Sequence, residues 1–216
     1  MSDILKLKNQ TGAGVMDCKN ALAEVKGDYT KAVALLRERG LAKAAKKEGS
    51  DRINSEGWVF VYDHQGKGQI VVMVEINCET DFAAKSEQFQ QLGKDIAMHI
   101  AAANPLFLDE TQVSKKALED EKKIFTKQAT NEGKPAGVIE KMVEGRIKKY
   151  YEEVCLVNQK FVKDPSKSVA DLVKETIAVI GEKITIRRFV RFEMGEGLEK
   201  KEENFADEVA KQIASK

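Results

Sequence analysis

Two stretches of strand-like alternation, far apart in the chain, constrain the fold more than anything else in the sequence. Trp58 to Tyr62 is β-rich, Asp63-His64-Gln65-Gly66-Lys67-Gly68 reads as a turn, and Gln69 to Asn77 reads as a second strand. Together they predict an antiparallel hairpin. A third strand, Ile184 to Met194, lies far downstream. A sheet completed by so distant a strand must close around the chain between, and that chain has helical periodicity. The expected class is therefore α+β, with a small three-stranded antiparallel sheet packed on helices. Ile70, Val72, Val74 and Ile76 claim one sheet face. The third strand alternates as Ile184, Ile186, then Val190 and Phe192, with Arg188 interrupting and Phe189 on the other side. Val71, Met73, Val59, Val61 and Phe189 are expected on the face opposite the hairpin's Ile70 to Ile76 row.

Residues 1–50 read as a separate three-helix module resembling ubiquitin-associated modules. A short helix, Ile4 to Gln10, ends at Thr11-Gly12-Ala13-Gly14, and a second runs from about Val15 to Val25. Val15, Cys18, Leu22 and Val25 form one helical stripe, and Tyr29, Val33, Leu36 and Gly40 mark a third helix. This segment holds ten Lys and Arg against six Asp and Glu, and Lys43 to Lys47 is expected to be an exposed tether into the next domain. The core domain then spans 51–194, and 195–216 forms a C-terminal module with a short helix from Asn204 to Ala214.

Within the core, Ser86 to Ala103 carries Phe89, Leu92, Ile96, Ile100 and Ala103 on one stripe. Ser114 to Asn131 is a charged helix, and Ala136 to Glu152 is the next, with Ile139, Val143, Ile147 and Tyr150 inward. Val154 to Val162 is read as an extended return and Asp164-Pro165-Ser166 as a loop. Ser168-Val169-Ala170-Asp171 is an N-cap signal for a helix that stops at Gly181.

Charge and cysteine usage narrow the function classes. With 36 Lys and Arg against 35 Asp and Glu, the net charge of +1 gives no bulk field toward nucleic acid or membrane. No apolar run approaches the roughly 20 residues that span a bilayer. The beginning, MSDILKLKNQTG, has no secretory apolar region, and the three cysteines are widely spaced without a CxxC. Reduced thiols in a cytosol or similar compartment are expected. Catalytic candidates are poor. His64 falls in a turn, His99 borders an apolar stripe, and neither has metal-pair spacing to Cys18, Cys78 or Cys155. No metal and no cofactor of its own is expected.

One segment resists a bland reading. After the strand comes Asn77-Cys78-Glu79-Thr80-Asp81-Phe82-Ala83-Ala84-Lys85. Thr80 or Asp81 can cap the following helix, which is a purely structural role. Phe82 then projects from a strand-to-helix corner beside a carboxylate, and an aromatic so placed is a typical protein-binding anchor.

Glu75-Ile-Asn-Cys-Glu-Thr-Asp-Phe-Ala-Ala-Lys85 resembles the second signature of the translation elongation factor Ts family. Leu7-Lys-Asn-Gln-Thr-Gly-Ala-Gly-Val-Met-Asp-Cys-Lys-Asn-Ala-Leu22 resembles its first. Lys141 to Lys149 and Arg191 to Lys200 are similar to further family segments, so the resemblance covers nearly the whole chain in order. Ala83 stands where the family usually has Val, and Lys8 where Arg is usual. Longer members carry two similar core subdomains, whereas this chain keeps the elements of one.

The resemblance implies a guanine nucleotide exchange factor for the GTPase elongation factor Tu, not an enzyme. It implies that Thr80, Asp81 and Phe82 enter the partner near its Mg²⁺ and phosphate site and displace the partner's Mg²⁺. It also implies that Lys8, Val15, Met16 and Lys19 grip a nucleotide-side helix, with a further contact from the C-terminal helix. Two rival readings are a nucleic-acid or ubiquitin-like adaptor, argued from the basic module alone, and a hydrolase using Asp81 with His64 or His99. The apolar second sheet face suggests a homodimer and a two-plus-two complex with Tu. The alternative is that the Ser114 to Glu152 helices fold back over it.

Overall fold

The computed structural model describes residues 3–133 and 135–198. Helices α1 (Asp3–Thr11), α2 (Val15–Glu24) and α3 (Tyr29–Glu48) form a small bundle around Leu7, Cys18, Ala21, Ala32 and Leu36. Asp28 caps α3 by accepting the Lys31 N–H at 3.0 Å. The helix does not stop where a tether was expected. Lys43 to Lys47 lie in its last turns, and Ala44 is buried in the main core. The intervening Ala and Leu residues are strong helix formers, and the charge run is a solvated face of the same helix.

Strands β1 (Glu56–Asp63) and β2 (Ile70–Cys78) form the expected hairpin, closed by a 3-10 turn at His64–Gly66. The next segment is divided. Helix α4 (Asp81–Lys85) is a single turn, and Ser86 then caps α5 (Glu87–Ala103) by accepting the Phe89 N–H. Helices α6 (Lys115–Asn131) and α7 (Ala136–Val154) form an adjacent pair, with the Arg146 guanidinium 5.7 Å from the centre of the Phe125 ring. Because α7 continues through Val154, the expected extended return shrinks to a 3-10 turn and a two-residue strand, β3 (Lys160–Phe161). It pairs antiparallel with β4 (Asp164–Ser168), so the expected loop at Asp164-Pro165-Ser166 is the start of a short edge strand. Helix α8 (Val169–Ile180) follows with a complete capping box, Ser168 and Asp171 each accepting the other's backbone N–H.

The last strand, β5 (Thr185–Glu193), returns beside β2 and gives the order β1-β2-β5, antiparallel throughout. The core face carries Phe60, Val72, Val74, Ile76 and Ile186 against Phe89, Ile96 and Ile100 of α5 and Val173 and Ile177 of α8. A β-bulge corrects the expected faces of β5. Ile76 pairs with Ile186 while Glu75 pairs with Arg188, so Arg187 is an extra residue on β5. One extra residue inverts the parity of everything beyond it. Phe189, opposite Val74, therefore packs on the core, whereas Val190, opposite Met73, and Phe192 join the outer face.

That outer face remains open. Val59, Val61, Met73, Val190 and Phe192 are exposed, Phe192 by 67% and Val61 by 64%, so α6 and α7 do not cover it. The bundle is docked on α8. A Cβ at Gly12 would fall 2.8 Å from Val179 Cγ2 and one at Gly40 3.1 Å from Ala178, while Arg37 bonds Glu175 at 2.8 Å. Gly195 to Leu198 form turns, and the helix expected at Asn204 to Ala214 lies outside the described residues.

Candidate functional site: a clamped aromatic corner

The corner begins where β2 runs out at Cys78. The Cys78 thiol donates to the Thr80 carbonyl at 3.2 Å, and burial pushes it up to about 11, with the Glu182 charge adding to the shift. It stays protonated at neutral pH and behaves as a small apolar group with a weak donor. Thr80 then caps α4: its Oγ1 accepts the Ala83 N–H at 3.2 Å. The structural role weighed for Thr80 is real, and it accompanies the exposed aromatic rather than replacing it. Phe82, two residues beyond, is 83% exposed. Asp81 beside it is exposed and pairs with Lys85 one turn on, at 2.7 Å, which holds its carboxyl below the usual carboxylate range.

Two carboxylates that sequence reasoning missed hold this corner to the rest of the molecule. Glu182, in the turn after α8, accepts both the Thr80 N–H at 3.0 Å and the Thr80 hydroxyl at 2.7 Å. Glu79 accepts the Lys183 N–H at 2.8 Å and the Arg52 guanidinium at 2.7 Å, with Lys47 Nζ 3.6 Å away. The Lys183 backbone bond, then Arg52, draws the Glu79 carboxyl below its ordinary range. Glu79 was in view as part of the quoted motif. Glu182 had no local signal, because its partner is 102 residues away.

The second group of candidate residues lies on the α1–α2 elbow. Lys8 is exposed at the end of α1, and Val15, Met16 and Lys19 are exposed on α2, whose opposite side buries Cys18 and Ala21. Val15 and Met16, exposed side by side at the helix start, leave apolar surface free for a contact. The elbow and the corner are separate patches on different elements.

The histidines stand apart from both. His99 is buried, with Nε2 2.9 Å from Gln159 Oε1 and Nδ1 accepting the Val162 N–H at 3.3 Å. His64 is exposed and bonds Tyr62 Oη at 3.1 Å. Among the described residues, no three His, Cys, Asp or Glu side chains gather as a metal site, and no helix is long and apolar enough to cross a membrane.

With the sheet, the leading bundle and the clamped Thr-Asp-Phe corner described, comparison of the sequence with known families places the chain among the translation elongation factors. The family model described as Elongation factor TS matches residues 6–196, and the chain belongs to that family. It is 59% identical over 210 residues to elongation factor Ts of Acetivibrio thermocellus, covering 97% of this chain and 96% of that one. Similar figures hold for elongation factor Ts of Desulforamulus reducens, 59% over 212 residues with 98% and 96% coverage. Elongation factor Ts of Alkaliphilus oremlandii is 57% identical over 213 residues, with 99% and 97% coverage.

Proposed function

We propose that this protein is a guanine nucleotide exchange factor acting on elongation factor Tu in the bacterial cytosol. It binds Tu–GDP and promotes GDP release by inserting Asp81 and Phe82 near the partner's Mg²⁺ and phosphate site. The observation that carries this reading is Phe82, 83% exposed just beyond two residues that bond the turn at 182–183, Thr80 through its backbone N–H and Glu79 through its carboxylate. Leaving a phenylalanine in water forfeits roughly 1.5–3 kcal/mol that burial would return. An apolar pocket between helices of the Tu G domain returns it on binding. Asp81 supplies polar contacts that disturb the water shell of the partner's Mg²⁺, leaving the phosphates without their main counter-charge. The Asp81–Lys85 pair is solvent-exposed, so exchanging it for partner contacts costs little.

Lys8, Val15, Met16 and Lys19 add a second grip through the elbow. The chemistry is differential binding, with no covalent step and no cofactor of the factor's own. Whatever factor by which this protein weakens GDP, GDP weakens this protein's hold on Tu equally. The open sheet face is covered by the same face of a second copy, giving a two-fold dimer and a two-plus-two complex with Tu. Its support is the apolar row Val61, Met73 and Val190, which runs across all three strands.

The test is release of fluorescent GDP from purified Tu. Phe82→Ala is expected to keep the wild-type thermal transition and weaken the productive complex about thirtyfold, the loss of a 2 kcal/mol anchor. Wild-type release rates from a folded Phe82→Ala protein would overturn the wedge.

A further inference from the structure

We propose that Glu182 is a positioning residue for exchange: it acts through Phe82 without touching Tu. The inference rests on the exchange-factor reading and adds to it the device that orients the wedge. The starting point is the size of α4. A five-residue helix has one turn and cannot sustain itself in water, because nucleation costs more than one turn of bonds returns. Phe82, on that turn, is almost free of packing of its own. The direction in which its ring points must therefore be set from outside α4.

Part of that outside support is packing, because Ala83 and Ala84 of α4 are buried in the main core; the polar part is a reciprocal knot between two chain segments. The Glu182 carboxylate takes the Thr80 N–H and hydroxyl, and the Glu79 carboxylate takes the Lys183 N–H. Each segment thus accepts the other's backbone. Thr80 Oγ1 links the knot to the helix, donating to Glu182 and accepting from Ala83 inside α4. A displacement of Glu182 passes through Thr80, by its N–H and its hydroxyl together, into the first turn of the helix that carries Phe82. The knot also collects the chain leaving α3: Lys183 Nζ donates to the Ser50 carbonyl at 2.6 Å, and Arg52 and Lys47 reach Glu79. The turn at residues 181–183 itself ends α8, on the far side of Thr80 from α4. Holding the wedge before encounter removes the ordering cost from the binding step.

The experiment is a double-mutant cycle on the full chain, read by GDP release from Tu against exchange-factor concentration. Glu182→Ala is expected to raise the half-saturating concentration about tenfold, because most of what the two lost hydrogen bonds contribute is felt in the free protein and only the ordering of Phe82 enters the binding step. In the Phe82→Ala background the same change is expected to do almost nothing, because there is no wedge left to aim. Equal losses in both backgrounds would mark Glu182 as a general structural residue and overturn the proposal, as would no loss in either. Wild-type release by Phe82→Ala alone is a different result: it removes the wedge itself, and this proposal with it. Should Glu182→Ala fail to fold, Glu182→Gln keeps the volume and one neutral acceptor. Its expected loss is about threefold, again only when Phe82 is present.

Discussion

Gly93 of α5 lies flat against the ring of Phe60 in β1, and no side chain fits between them: a Cβ built on Gly93 would overlap three ring atoms. This contact sets how closely α5 approaches the sheet, and hence where the corner before α5 begins. The Phe60 ring is itself fixed, buried and tilted against Phe89 with centroids 5.9 Å apart. Gly93→Ala is expected to destabilise the protein by about 2 kcal/mol despite the better helix propensity of alanine. The urea midpoint reads this directly, and a midpoint equal to or above wild type would contradict it.

His99 predicts a pH dependence with a definite sign. Its Nδ1 accepts an N–H, so the folded ring is neutral with its proton on Nε2, and burial lowers its pKa from the ordinary 6.5. The unfolded chain takes up this proton at a higher pH than the folded one. Stability from His99 is therefore complete above the unfolded value and is lost as pH falls through and below it. Denaturation between about pH 7.5 and about pH 5.5 lies above the range in which the carboxylates titrate. Wild type is expected to lose stability across that interval, and His99→Gln to lose clearly less. Parallel curves for the two proteins would refute the assignment.

Met73 sits at the centre of the open sheet face, between Val61 and Val190. Met73→Lys places an ammonium there, where a second copy cannot accommodate it. Wild type is expected to sediment as a dimer at micromolar concentration, and the variant as a folded monomer. A wild-type species at 24.1 kDa would end the two-plus-two proposal.

The capping box of α8 offers a smaller, local effect. Ser168 Oγ accepts the Asp171 N–H at 3.1 Å, and Asp171 accepts the Ser168 N–H at 2.9 Å. Ser168→Ala is expected to cost about 1 kcal/mol in thermal or urea denaturation, with the fold unchanged. A loss within error of zero would show that β4 alone fixes the start of the helix.

The hairpin, β5, α5 and α8 were legible because their apolar residues repeat at the right period and their caps are Ser residues in standard positions. The corner was legible because Phe82 follows a strand among polar neighbours. What was not legible shares a physical cause. The bulge hides between Arg187 and Arg188, two exposed residues of one type, so counting by twos passes over it. Both reach Glu75 at 2.7 Å, a pairing that period alone cannot express. Strands β3 and β4 are too short for alternation to register. The Glu182 bond to Thr80 is a long-range contact between polar residues, which carry no periodicity at all. The continuation of α3 was obscured by its charges, although nothing between Gly40 and Lys47 breaks a helix.

Helix α3 has a consequence for how the molecule comes apart. Its 20 residues form a rod of about 30 Å with its first half, at Ala32 and Leu36, in the bundle core and its last turns, at Ala44, in the sheet core. Fraying either end strips a wall from the other core. The two cores are therefore expected to share one cooperative transition, with amide protons in the middle of α3 exchanging only through global unfolding. An exchange factor must strain a tightly folded GTPase without yielding first. On the proposed exchange reading, a helix common to both cores lets this protein bear that load as a single body.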